Sequence, residues 1–171
     1  MMRKILHAID SVNERVGAIS GWLVLVLIIV ILYEVIARYV FNKPTSWGFN
    51  TFRMISGALV VLGWAYAQRH NSHVRVDILY IRLSPRKQAF INAIGTGLFF
   101  FPLFGAFIGL VGARMWHTWQ RYTLSLASHQ VPFPANPLYQ TIILIGLCLF
   151  FLQFTSRFIR DVHILIRGRP Y

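Results

Sequence analysis

The chain has 171 residues, 56% of them apolar and 13% charged, with a mean hydropathy of +0.56. A soluble domain carries about 25% charged residues, so this composition, with 14 Phe and 5 Trp, excludes an ordinary soluble globule and a disordered chain. Lys+Arg number 17 against 5 Asp+Glu, a formal charge of +12. That balance implies no nucleic-acid partner here, because basic helix ends held beside anionic phospholipids account for it.

Residues 2–15, MRKILHAIDSVNER, place Ile5, Ile9, Val12 and Val16 at helical spacing, with Leu6 beside them. The pattern predicts an N-terminal amphipathic helix in the membrane interface; an ordinary polar lead-in with helical spacing is the alternative. A first span follows over 16–41. Its apolar run is longer than the core of a signal peptide, and no small-residue cleavage site closes it, so it reads as a retained helix. Residues 42–48, NKPTSWG, form a turn in which Pro44 disfavours helix at Lys43. A second span, 49–67, is rich in Gly, Ala and Ser.

Residues 68–88 are polar and basic. Within them HVRVDILYIRL is compatible with either an extended or a helical segment on the membrane surface. The third span, 89–116, exceeds what a crossing needs. Pro102 is its expected kink. Gly105 and Gly109 offer a small-xxx-small face for close helix approach. Residues 117–137 read as an aromatic, proline-rich loop. The fourth span is 138–159, followed by a basic tail. The chain thus reads as a single all-α integral membrane domain, 1–171, with four transmembrane helices.

Basic residues set its orientation. The N-terminal segment holds three, the middle loop five and the C-terminal end four of the 17, while the first and third connections with their helix ends hold the other five. The positive-inside rule then places both termini and the middle loop in the cytoplasm.

Glu34 is the one carboxylate expected inside a span, with Arg38 at i+4 in the favoured pair orientation. A lone buried carboxylate is what a small ion-coupled exporter would need. The structural alternative, an ion pair with Arg38 or with Arg53 across the helix interface, is favoured because no second intramembrane carboxylate completes a relay. The six His fall in loops, tails and helix ends. No pair sits at matching depth for a haem-holding respiratory anchor, and His70 and His73 lack the further ligands of a metal site. A lone cysteine, Cys148, excludes an intramolecular disulfide. No GxSxG, Walker or HExxH motif and no carboxylate pair signals an enzyme. With so little buried polar equipment, the residues suit a scaffold that packs against a larger membrane protein.

The run ARYVFNKPTSW closing the first span, Arg53 opening the second, HVRVD after it and VPFPANPLYQTIILIGLCLFFLQ leading into the last resemble the small membrane subunit of tripartite ATP-independent periplasmic (TRAP) transporters, the DctQ-like or Q subunit. The resemblance implies an inner-membrane protein that pairs with a large multi-span M transport subunit. That M subunit would carry sodium and substrate by an elevator movement, and a periplasmic substrate-binding protein would deliver an organic acid. The Q subunit would be static scaffold, neither enzyme nor cofactor carrier, with Arg38, Trp47, Arg53 and Asp77 supporting fold or interface. The family pattern continues after Ser-Trp with a small and two acidic residues. Here Gly48, Phe49 and Asn50 stand instead, leaving Glu34 as a substitute partner for Arg53.

Overall fold

The structure, a computed structural model, describes residues 2–45, 47–70, 83–124 and 135–167. Among the described residues every regular element is helical: α1 Met2–Tyr39, α2 Gly48–Arg69, α3 Pro85–Ile94, a π-helical segment Gly95–Phe100, α4 Phe101–Leu124 and α5 Ala135–Arg167. HVRVDILYIRL, Asp77 and most of the proline-rich connection lie outside the described residues.

Helix α1 has 38 residues, about 57 Å at 1.5 Å per residue. The separate interfacial helix expected over 2–15 is instead continuous with the span, since no glycine or proline interrupts the pattern before Gly17. The helix ends where Asn42 takes a left-handed conformation, φ 50°. There the Lys43 N–H turns back onto the Ala37 carbonyl at 2.9 Å. Asparagine tolerates this geometry because its short polar side chain reduces the usual penalty.

The irregularity expected at Pro102 lies just before it. Phe101 donates its N–H to the Thr96 carbonyl, an i→i+5 bond that inserts one extra residue into the turn. Pro102 has no N–H to return to Leu98, and the wider turn takes up the fault. Beyond Trp116, α4 continues to Leu124. The loop expected from 117 therefore starts later, because no helix breaker occurs before Pro132.

The helices form a row. α2 packs between α1 and α5, and α5 packs between α2 and the α3–α4 rod, while α1 meets α5 over a shorter stretch. The α2 seam is Ala58, Val61, Ala65 and Gln68, all buried, recurring every three or four residues as one helix face must. On α5 the seam is Leu147, Phe150, Gln153 and Ser156. The α4–α5 seam is aromatic: Phe100 stacks on Phe154 at 3.8 Å between ring centroids and on Phe104 at 4.4 Å. Such contacts add to simple area burial.

Among the described residues three helical stretches are long and apolar enough to cross a membrane: Lys4–Tyr39, Arg86–Arg121 and Asn136–Ile166. α2, with 22 residues, is not among them. Asn50, Arg53, Gln68 and its many small residues hold its hydropathy below that of its neighbours. Between α1 and α5, over α2, opens an apolar groove of about 510 Å³, with Ile19, Leu23, Ile55, Leu62, Ile142 and Ile145 in its walls.

Candidate functional site

Two polar knots tie the row, one at each end of α2. The first joins α1 to the 42–48 connection. Arg38 Nη2 donates to Glu34 Oε1 at 2.8 Å across one helical turn. The Thr45 hydroxyl donates to Glu34 Oε2, and the Thr45 N–H reaches the same oxygen at 3.3 Å. Thr45 Oγ1 in turn accepts the Gly48 N–H at 3.1 Å. Glu34 is therefore linked through one hydroxyl to the N-terminus of α2, an end that favours negative charge. A Cβ at Gly48 would lie 2.5 Å from both Glu34 Oε2 and Thr45 Oγ1, so only glycine lets the carboxylate approach. Beside the knot Trp47 stacks on Tyr33 at 5.7 Å.

Thr45→Val removes the hydroxyl that caps α2 and holds the carboxylate. We expect the melting temperature of the purified chain to fall by about 2–4 °C. Thr45→Ser should restore it.

The second knot, which sequence reasoning missed, joins α1, α2 and α5. Asp10 and Asn13 lie one turn apart on α1, with relative exposures of 9% and 1%. Asn13 Nδ2 donates to Gln153 Oε1 at 2.5 Å. Gln153 Nε2 donates to Asp10 Oδ1 at 3.0 Å, and Arg160 Nη2 to Asp10 Oδ2 at 2.5 Å. From α2, Arg69 donates to the Asp10 backbone carbonyl and pairs with Glu14 at 2.7 Å. His70 Nε2 lies 3.2 Å from the same Glu14 oxygen. Every buried polar group named here except Asn13 Oδ1 is matched, as buried polar networks require.

The signal for this knot was present in the residues. Leu6, Asp10, Asn13, Gly17 and Ser20 recur every three or four positions, a stripe of polar and small residues. That is the composition of a membrane helix interface. Gly17 packs against the Tyr66 ring and Gly57 against the Tyr139 hydroxyl, while a Cβ on Gly146 would lie 2.7 Å from Val61 Cγ1.

The remaining residues singled out from the sequence are not drawn together. No ion pair links Glu34 to Arg53, because both Glu34 oxygens are engaged by Arg38 and Thr45. Arg53 is exposed. Gly105 and Gly109 are exposed too, with nothing within 4 Å of a Cβ at either. Their close-approach face therefore meets no helix among the described residues. The reason is position: α4 stands at the edge of the described row and packs chiefly against α5.

Chemically the arrangement ties and braces. Glu34 and the next carboxylate along α1, Glu14, stand about 30 Å apart on the helix axis, and each is already paired. Among the described residues no three of His, Cys, Asp and Glu come together. Most of what the row exposes is large and apolar, as on α1 at Ile19, Trp22, Ile29 and Leu32 and on α4 at Leu103 and Leu110.

A family model described as "Tripartite ATP-independent periplasmic transporters, DctQ component" matches residues 27–163. No curated protein and no solved structure matches the chain.

Proposed function

The chain belongs to the DctQ-component family of tripartite ATP-independent periplasmic transporters, a transporter component and not an enzyme, and from that membership we propose that it is the small scaffold subunit of a sodium-driven uptake system. It pairs with a large M transport subunit that imports an organic acid, delivered by a periplasmic binding protein. It lies in the bacterial inner membrane with both termini and the middle loop in the cytoplasm, a reading supported by the skew of Arg and Lys toward those segments. Its basic cytoplasmic segments rest on anionic phospholipids.

In this reading α2 is the fourth span. Its start is tied to Glu34 through Thr45, and its end to Asp10 and Glu14 through Arg69. It therefore runs antiparallel along the stretch of α1 that holds the apolar run. If that run crosses the bilayer, α2 crosses with it, at about 33 Å for 22 residues. Its modest hydropathy is tolerable because α1 and α5 flank it.

The observation that carries the scaffold role is the placement of paired charge. The knots fix both ends of α2 against α1, and the second also holds α5; among the described residues the seam between them is built from apolar and small residues. An elevator needs one part held still while another slides, and helices clamped to one another in this way resist shear.

Co-purification tests this. The tagged chain, co-expressed with the large subunit of its own system, should retain that subunit at about 1:1, and sodium-driven uptake into liposomes should need both. Recovery as a stable homodimer that transports by itself would overturn the proposal.

A further inference from the structure

The four described spanning rods do not expose the same kind of surface. α1 turns Ile19, Trp22, Ile29 and Leu32 outward, and α4 turns Leu98, Phe99, Leu103 and Leu110 outward. These are residues suited to lipid tails. α2 has a second face, opposite its buried seam, on which Phe49, Arg53, Ser56, Val60, Gly63 and Ala67 recur every three or four positions. None of the six is buried. Phe49 and Val60 are exposed, and a Cβ at Gly63 would meet nothing within 4 Å. Arginine, serine, glycine and alanine on one face suit helix-to-helix contact and suit lipid poorly.

Arg53 sharpens the point. It lies more than a turn inside α2, and no ion pair to it occurs among the described residues. Among the described residues the one carboxylate at its end of the row, Glu34, is already held by Arg38 and Thr45. An arginine within a span almost always faces a protein interior and finds a partner there. Here it faces away from its own bundle, on the least hydropathic of the long helices, at the centre of the row. The broad side of the row bearing the 510 Å³ groove is the other one.

We propose that this face of α2 is the surface on which the large transport subunit docks, with a carboxylate of that subunit meeting Arg53. The inference rests on the reading that the chain pairs with such a subunit, and it names the face and the chemistry of the contact. The small residues let a partner helix approach α2 closely. The cation fixes its register, because an opposite charge at any other height would leave both groups unpaired. Docking on this side leaves the large apolar residues of α1 and α4 to the lipid.

The experiment uses the full-length tagged chain co-expressed with the large subunit of its own system. Arg53→Glu should reduce the retained large subunit by at least about tenfold, the loss expected when a desolvated charge pair is broken. Arg53→Lys should retain most of it. Gly63→Leu should also reduce it, while the melting temperature of the isolated chain stays unchanged, since both side chains point into open space. A photo-reactive residue at Val60 should cross-link to the large subunit, and one at Ile145, on the groove side of α5, should not. If wild-type chain retains the large subunit while Arg53→Glu retains as much and Val60 cross-links only to lipid, α2 faces lipid. The docking surface is then overturned and the pairing stands. If wild-type chain retains no large subunit under conditions where both are made, the pairing falls and the docking face with it.

Discussion

Replacing Asp10 with leucine should destabilise the isolated chain by about 2–3 kcal/mol, one of the two largest effects expected of any single change outside the interface. The reason is geometric. Asp10 joins two partners on α5, accepting from Gln153 at 3.0 Å and Arg160 at 2.5 Å. Its side chain is only 12% exposed, so water cannot replace it fully, and Gln153 would be left with an unmatched buried donor. Breaking a fully buried ion pair costs about 3–5 kcal/mol. The lower figure applies here because Arg160 is 40% exposed and can turn to water or headgroups. Asp10→Asn keeps an acceptor for Gln153 and should cost about half as much. Glu14→Gln, at a residue 39% exposed, should cost less than about 1 kcal/mol. Denaturant titration of the purified chain in micelles measures all three. A cycle with Arg160→Leu adds the decisive term: Asp10→Leu with Arg160→Leu should cost clearly less than the two singles combined. Full additivity would mean that the contact between α1 and α5 does not hold the row together.

This clamp also marks where the sequence could be read and where it could not. Apolar runs bounded by Asn42–Pro44, by the basic middle segment and by Ala135–Pro137 were enough to locate the helices. They did not say which face of each helix meets protein. Ile5 and Val12, read as the face an interfacial helix turns to the membrane, are 53% and 48% exposed, but nothing in that pattern announced that Asp10 and Asn13 beside them are buried. In water the apolar stripe goes inward. In a bilayer lipid accepts that stripe, and helices meet through small and polar residues instead. The Glu34–Arg38 pair was legible because its partners stand one helical turn apart. Gln153 was not legible as the partner of Asn13, since that contact depends on which helix lies across from which. The same ignorance of helix order explains the glycines. Gly105 and Gly109 have the ideal spacing but stand on an edge helix, whereas Gly146, with no spacing motif to announce it, lies under the central α2. Hydropathy sets α2 apart from its neighbours, because a helix flanked on both sides can carry residues that a lipid-facing one cannot.

Gly146 should therefore be the least replaceable glycine of the row. A Cβ there would lie 2.7 Å from Val61 Cγ1 and 3.2 Å from the Val61 backbone carbonyl carbon and oxygen. The side-chain clash alone can be relieved by a small rotation. The backbone contact cannot, because Val61 belongs to the buried seam of α2 and both helices are held elsewhere by the Asp10 clamp. Gly146→Leu must push α2 and α5 apart along their shared seam, opening gaps around Leu147 and Phe150 as well as adding volume. Overpacking of this kind costs about 1–3 kcal/mol, and more when the backbone must move; we expect more than about 3 kcal/mol, seen as loss of folded protein from the membrane fraction. Gly146→Ala should fall between, and Val61→Ala should restore part of its loss by removing the nearer contact while leaving the backbone one. Gly105→Leu is the matched comparison: the same change into open space should leave the isolated chain within about 0.5 kcal/mol of wild type. Equal tolerance of leucine at Gly146 and Gly105 would mean that α2 and α5 do not meet backbone to backbone, and the central pair of the row would have to be reassigned.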